Sequence, residues 1–231
     1  MTADAGDEET TRSATADLPV VDLDDPVSDL ESVDRAGRTD APRVAGVVLA
    51  AGTSSRFGAD NKLLATVDDE PVVRRATRTL LESSVDPVVV VLGHQADRVR
   101  AALEGLPVET HLNEAYETGQ ASSLRTGIRA VRDHGDCDAA VVALGDMPFV
   151  DPETVETLVA AYAANVGEAI AAAFDGERGN PVLFDARFFD VLTDVDGDIG
   201  GREIFLESDS SVLVAVDDPG VRRDVDVPAD L

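Results

Sequence analysis

Residues 44–62 read VAGVVLAAGTSSRFGADNK, an apolar run that breaks into a glycine-containing turn and ends on a lysine. The first part, VAGVVLA, is nearly continuously apolar and rich in valine, as a strand is when helices cover both faces of a parallel sheet. Ligands of open α/β sheets bind beyond the carboxyl ends of such strands. Gly52 and Gly58 are therefore expected to adopt unusual φ angles and to bring backbone N–H groups close to phosphate oxygens, with Thr53, Ser54 and Ser55 adding hydroxyls. The spacing excludes two common phosphate loops: G-x-x-x-x-G-K-[ST] fails because five residues separate Gly52 from Gly58 and Ala59 follows, and G-x-G-x-x-G is absent.

The same alternation of strand and helix continues outward from this stretch. Strands are predicted at residues 87–93, 108–112, 139–144, 169–174, 181–184 and 212–216, and helices at 71–84, 95–104, 121–134 and 152–164. Asp151-Pro152 reads as an N-cap followed by proline at the first helical position. Strand–helix alternation of this kind gives one α/β domain over residues 43–231 with a mostly parallel sheet. Residues 1–42 are acidic, lack aromatics and hold no sustained period, which predicts a disordered tail; within it LPVVDLDDPVSDL, residues 18–30, is apolar enough to dock.

Composition narrows the function. The formal net charge is -27, from 46 Asp plus Glu against 19 Lys plus Arg, so nucleic acid and anionic membrane surfaces are disfavoured partners. Lys62 is the only lysine, every other basic residue being arginine. A chain rich in carboxylates and nearly devoid of lysine predicts a halophilic source, and a stability curve against KCl that peaked at low salt would count against that. Cys137, the single cysteine, excludes an internal disulfide and is expected to pack as a small hydrophobe in a reducing compartment. No apolar run approaches the ~20 residues that span a bilayer, and the acidic N-terminus is unlike a signal peptide, so the cytoplasm is the expected location.

LAAGTSSRFGADNK resembles the signature of the MobA-like nucleotidyltransferases, the family that contains the molybdenum cofactor guanylyl- and cytidylyltransferases. The resemblance covers residues 44–231 and implies a three-layer αβα, Rossmann-like fold of the nucleotide-diphospho-sugar transferase type with a mostly parallel mixed sheet. It also implies that Gly52, Ser54, Arg56, Gly58 and Lys62 wrap the triphosphate, with Leu49, Ala50 and Ala51 leading into the loop. Phe57 stands where the family often has methionine. ALGDMPFVDPETV (143–155) resembles the family's GDMP element, which makes Asp146 the principal ligand for Mg2+. YETGQASSLRTGI (116–128) is similar to the element that opens a helix near the base, with Gly119, Ser122 and Ser123 at the matching positions; an ordinary capped helix is the rival reading, and Arg125 reads equally as a solvated charge.

GERGNPVLF (176–184) and DGDIGGREIF (196–205) fall in the half that receives the second substrate, implying that Arg178, Gly179, Asn180 and Arg202 bind the acceptor. Asp198 is carried over as the second metal ligand. Asp226, in the closing DVDVPADL, is the alternative, in a segment that usually reads as structural. His94 fits a polar loop or a contact to the base, while His111 and His134 are isolated from each other and from any metal-ligand spacing, which disfavours a zinc enzyme.

Together these elements imply attack by an acceptor phosphate on the α-phosphorus of an NTP, assisted by Mg2+, Lys62 and Arg56, with pyrophosphate leaving. The form Leu49-Ala50-Ala51-Gly52, together with GERGNP and GDIGGR, is similar to the cytidylyl branch, implying CTP as donor, molybdenum cofactor (molybdopterin) as acceptor, and transient contact with a molybdenum hydroxylase. The alternatives are GTP, a sugar 1-phosphate or phospholactate acceptor, and a non-catalytic cofactor-binding chaperone for such a hydroxylase.

Overall fold

Alternate residues of VAGVVLA pack into different helix layers: Val44, Val48 and Ala50 join one buried cluster, Ala45 and Val47 the other. A two-residue side-chain period in a strand with no exposed face requires helices on both sides. The computed structural model describes residues 18–23, 41–54, 57, 60–194 and 201–231.

In chain order the elements are β1 (Val20–Val21), β2 (Val44–Ala50), the hairpin β3 (Thr66–Val67) and β4 (Glu70–Pro71), α1 (Val72–Leu81), β5 (Val88–Leu92), α2 (Ala96–Ala102), β6 (Glu109–Leu112), α3 (Gln120–Asp133), β7 (Ala139–Leu144), α4 (Pro152–Ala163), β8 (Ala169–Phe174), β9 (Glu177–Asp185), α5 (Phe189–Asp194), α6 (Gly201–Glu207) and β10 (Ser211–Ala215). The main sheet runs β1-β10-β8-β9-β7-β2-β5-β6. Among the described residues of this sheet only β9 is antiparallel to its neighbours, so the sheet is mixed but mostly parallel, as expected. Val73 and Leu80 of α1, Val99 of α2, and Val155 and Leu158 of α4 cover one face. Leu124, Ile128 and Val131 of α3, Leu192 of α5 and Phe205 of α6 cover the other.

Two local features position the site. A Cβ added to Gly127 in α3 would lie 2.4 Å from Val47 Cγ1, so glycine there lets the helix settle directly on β2. That close approach carries the first turn of α3 to the carboxyl end of the sheet. At α4 the predicted cap is present, with Asp151 Oδ1 accepting from Glu153 N at 3.0 Å.

Two expectations change. The strand predicted at residues 181–184 extends over Glu177–Asp185. Proline lacks an N–H, but Pro181 falls where the ladder to β8 is irregular, between the pairs Ala171↔Val182 and Ala173↔Arg178, so no ladder bond is lost. Within the predicted tail, Val20 and Val21 form an edge strand that pairs in parallel with Leu213 and Val214, and Val21 is 2% exposed. The rest of the predicted tail, residues 1–17 and 24–40, lies outside the described residues.

Candidate functional site

The parallel strands β2 and β7 end side by side, and their following loops face the first turn of α3 across a cleft of about 350 Å³. It is lined by Leu49, Ala51, Gly52, Thr53, Lys62, Leu63, Tyr116, Glu117, Gly119, Gln120, Ser123, Leu144 and Asp146. The motifs AAGTSS…NK and GDMP, whose Lys62 and Asp146 are 84 residues apart, thus meet at the carboxyl ends of two neighbouring interior strands.

Lys62 sits at the start of a 3-10 turn, Lys62–Leu64, whose N-cap Asn61 accepts from Leu63 N through Oδ1. Its Nζ lies 2.7 Å from Asp146 Oδ2 and 2.7 Å from Asp226 Oδ1. Burial works to lower the lysine's pKa, but attraction to Asp146 and hydrogen bonds to Asp146 and Asp226 outweigh it and hold the value above the ordinary 10.5. The ammonium is therefore charged at neutral pH.

Asp224 joins this group. One carboxylate oxygen from each of Asp146, Asp224 and Asp226 lies within 4.8 Å of the others. Burial, then repulsion from Asp146, pushes the Asp224 carboxyl above its usual range. Two backbone connections brace the cluster: Val225 N donates to Asp146 O at 2.8 Å, and Asp230 Oδ2 accepts from both Asp226 N and Val227 N. Those backbone donors hold the Asp230 carboxyl below its usual range. Three carboxylates facing one ammonium leave an excess of negative charge on hard oxygen donors, a set suited to Mg2+ or Mn2+ and poorly suited to softer metals.

The remaining expected residues divide. Ser54, not Gly52, takes the left-handed conformation in the loop, at φ 55, and a Cβ on Gly52 would meet nothing within 4 Å. Packing among the described residues thus leaves room for a side chain at 52. Ser54 Oγ donates to Asn61 Oδ1 at 3.1 Å and accepts from Lys62 N at 3.2 Å, so it braces the loop around the lysine. Ala50 packs into the core, while Leu49 and Ala51 line the cleft. Gly119 precedes α3 at φ 110. Ser122 and Ser123 both accept from Asn113 Nδ2, at 2.8 and 3.0 Å, but only Ser123 also lines the cleft. Arg56, Gly58 and Asp198 lie outside the described residues.

The acceptor candidates are not brought together as a set. Arg178 lies over the Phe205 ring, 4.9 Å from its centroid, on the α6 face, with Arg202 as its charged neighbour. Asn180 lies toward α1 and α4, beside Met147 and Thr79. The histidines also differ from expectation: His134 Nε2 and His111 Nε2 approach the same Glu109 oxygen, at 3.2 and 3.6 Å, because β6 runs beside the end of α3. His94 packs against Tyr116, with ring centroids 6.1 Å apart.

Asp224 escaped sequence reading because aspartate is so abundant here. The available signal was the D-x-D spacing of residues 224 and 226, which in extended chain puts both side chains on one face. Asn61, which organises the lysine turn, lies inside the signature LAAGTSSRFGADNK but is not singled out there, and Asn113, which organises the α3 entry, lies in no motif.

The model of the MobA-like NTP transferase domain matches residues 46–212. Nicotine blue oxidoreductase of Paenarthrobacter nicotinovorans is 31% identical over 198 residues, covering 82% of this chain and 95% of that protein. A probable molybdenum cofactor guanylyltransferase of Natronomonas pharaonis is 35% identical over 113 residues, 49% of this chain and 54% of that one. Among solved structures, Rv0371c of Mycobacterium tuberculosis superposes with a TM-score of 0.72 at 29% identity, covering 83% of this chain and 96% of its own. Its complex with manganese gives 0.68 at 28%, covering 81% and 95%. The family signature lies on the elements that build the cleft, and the sheet is that of the nucleotide-diphospho-sugar transferase fold: the chain belongs to the MobA-like NTP transferase family.

Proposed function

We propose that this protein is a Mg2+-dependent nucleotidyltransferase that moves CMP from CTP to the terminal phosphate of molybdenum cofactor. The observation that carries this reading is the convergence of Lys62 with Asp146, Asp224 and Asp226 beside the cleft. An acceptor phosphate oxygen forms a bond to the α-phosphorus as the bond to the β-phosphate bridging oxygen breaks, its electron pair leaving on pyrophosphate. No general base is needed, since a phosphate monoester is ionised at pH 7.

The residues then have separable roles. Asp146 and Asp226, with the exposed Asp224 beside them, would hold Mg2+, which when bound supplies Lewis-acid stabilisation of phosphate charge. Lys62 and Arg56 neutralise triphosphate oxygens, and the backbone from Ala51 through Gly52 to Gly58 offers N–H groups to them, with Ser54 fixing the loop. Gly119, Ser122 and Ser123 shape the entry to α3, whose free N–H groups suit a base carbonyl. Arg178, Gly179, Asn180 and Arg202 are assigned to the acceptor side. Asp198 remains a proposed metal ligand, with Asp226 favoured by its 2.7 Å contact to the shared lysine.

CTP is preferred because Leu49-Ala50-Ala51-Gly52 has the form of the cytidylyl branch, where the guanylyl branch has glycine in place of Ala51, a residue that borders the cleft. The Natronomonas relative's name favours GTP instead, so the deciding experiment is a panel of α-labelled NTPs with molybdenum cofactor. Transfer of label from CTP is expected, and preferential transfer from GTP would overturn the cytidylyl assignment. A second reading follows from the relative named nicotine blue oxidoreductase, which this chain matches over 95% of its length: the cleft would then hold a redox nucleotide. Absence of pyrophosphate release with every NTP, together with dye reduction, would favour it.

A further inference from the structure

Asp146 and the Asp224/Asp226 pair reach the cleft on separate stretches of chain, so their carboxylates meet only if the two stretches are held in register. Part of the hold lies at Val225. It is fully buried beside Val67 and Val72 and packs against Phe149, while the aspartates on either side of it meet Asp146 and Lys62. Its N–H donates to Asp146 O at 2.8 Å.

The other part lies upstream, at Asp218. This residue is 8% exposed, and among the described residues its carboxylate meets three neutral donors. Oδ2 accepts from Asp151 N at 2.9 Å and from Thr154 Oγ1 at 2.8 Å, and Oδ1 accepts from Gly220 N at 2.8 Å. Asp151 and Thr154 belong to the start of α4, which follows the GDMP loop, whereas Gly220 lies in the 3-10 turn Pro219–Arg222 that leads to Asp224. One buried carboxylate thus joins both stretches, at the amino end of a helix, where negative charge is favoured.

The stretches also fit closely. A Cβ on Gly220 would lie 2.0 Å from Phe149 O, and the Arg223 guanidinium lies 4.0 Å from the centroid of the Phe149 ring. Sliding one stretch along the other would break the Asp218 bonds or collide with Phe149. A metal site assembled from two loops depends on such supports, because Mg2+ demands near-ideal ligand geometry and shifts of about 0.5 Å are enough to spoil it.

We propose that Asp218 is a positioning residue for the metal site: by joining the start of α4 to the turn before Asp224, it sets the Asp224 and Asp226 carboxylates against Asp146 and so fixes the affinity for a hard divalent cation. Asp218 does not line the cleft, so it acts through the aspartates and not on a ligand. The role rests on reading Asp146, Asp224 and Asp226 as metal ligands, and not on which nucleotide is transferred.

The test uses the full chain without nucleotide, with Mn2+ as the probe and free ion followed by electron paramagnetic resonance well below every unfolding midpoint. Asp218→Asn keeps the side chain's size but cannot accept all three bonds, and it should bind Mn2+ ~10-fold more weakly than the wild type. Thr154→Val removes one of the three bonds and should give a smaller loss. Val21→Asp, which lowers stability in edge strand β1, should keep Mn2+ affinity within ~3-fold of the wild type. In transfer assays the Mg2+ concentration giving half-maximal rate should rise ~10-fold in Asp218→Asn, with kcat restored at saturating Mg2+. Wild-type Mn2+ affinity in Asp218→Asn, alongside a lowered midpoint, would overturn the proposal and leave Asp218 a fold-stabilising residue. Should Asp218→Asn not fold, Thr154→Val decides on the same terms, and unchanged Mn2+ affinity there overturns the proposal. A wild type whose Mn2+ binding depends on Asp218 but that transfers no nucleotide would sink the nucleotidyl-transfer reading and leave the positioning role standing.

Discussion

Lys62→Met should tighten metal binding while it slows transfer, an opposition that follows from one geometry. The ammonium donates at 2.7 Å to two of the three carboxylates that would hold a metal, and its side chain is 13% exposed against 20% and 33% for Asp146 and Asp226. A divalent ion entering without nucleotide must break both contacts, together about 2–3 kcal/mol for partly buried charged hydrogen bonds. Replacing the lysine removes that competition. With about 1.4 kcal/mol per tenfold, Lys62→Met should bind Mn2+ ~10- to 100-fold more tightly than the wild type. The same substitution deletes a cation from the triphosphate, so kcat/KM should fall by ~10²- to 10³-fold. Free Mn2+ followed by electron paramagnetic resonance in a titration of apo-protein measures the first effect directly. Equal or weaker Mn2+ binding by Lys62→Met would refute the idea that lysine and metal compete for these oxygens. The alkaline limb gives the sign check: a lysine raised above 10.5 in the folded state contributes stability fully present below that value and lost as pH rises through the folded pKa. Lys62→Met should lack that limb.

Asp224, whose carboxyl is pushed up by burial and Asp146, lowers stability as pH rises above its unfolded value of 3.8; Asp224→Asn should therefore raise the melting temperature of the apo-protein at pH 7 and weaken Mn2+ binding ~10-fold in the same titration. Gly127→Ala places a Cβ 2.4 Å from Val47 Cγ1 and should cost about 1–3 kcal/mol in urea unfolding, lifting α3 away from the cleft; an unchanged midpoint would show that α3 does not rely on this close approach. Val21→Asp, in the edge strand against β10, should cost about 2 kcal/mol or more in the same assay, whereas a neutral effect would return residues 18–23 to the tail.

How much of this was legible in the sequence depends on the kind of interaction. The central strands were, because VVVVL and AAVVAL are buried on both faces and their apolar runs leave one reading. Asp146 and Lys62 were, because each sits in a motif at a strand end. Edge strand β1 was legible only as a patch able to dock, since a two-residue strand has no period to detect. The reach of β9 back to Glu177 was hidden by Pro181, whose effect depends on an irregular ladder set by β8. Pairings across long sequence separations, such as Lys62 with Asp226 and His111 and His134 with Glu109, come from topology and leave no local trace.

The most direct test of nucleotidyl transfer is pyrophosphate release by the full chain with Mg2+, CTP and molybdenum cofactor, run beside Asp146→Asn. Acceptor-dependent release from the wild type, reduced ~10²-fold or more in the variant, is the predicted result. Release that is absent for every NTP, or equal in the two proteins, would contradict it.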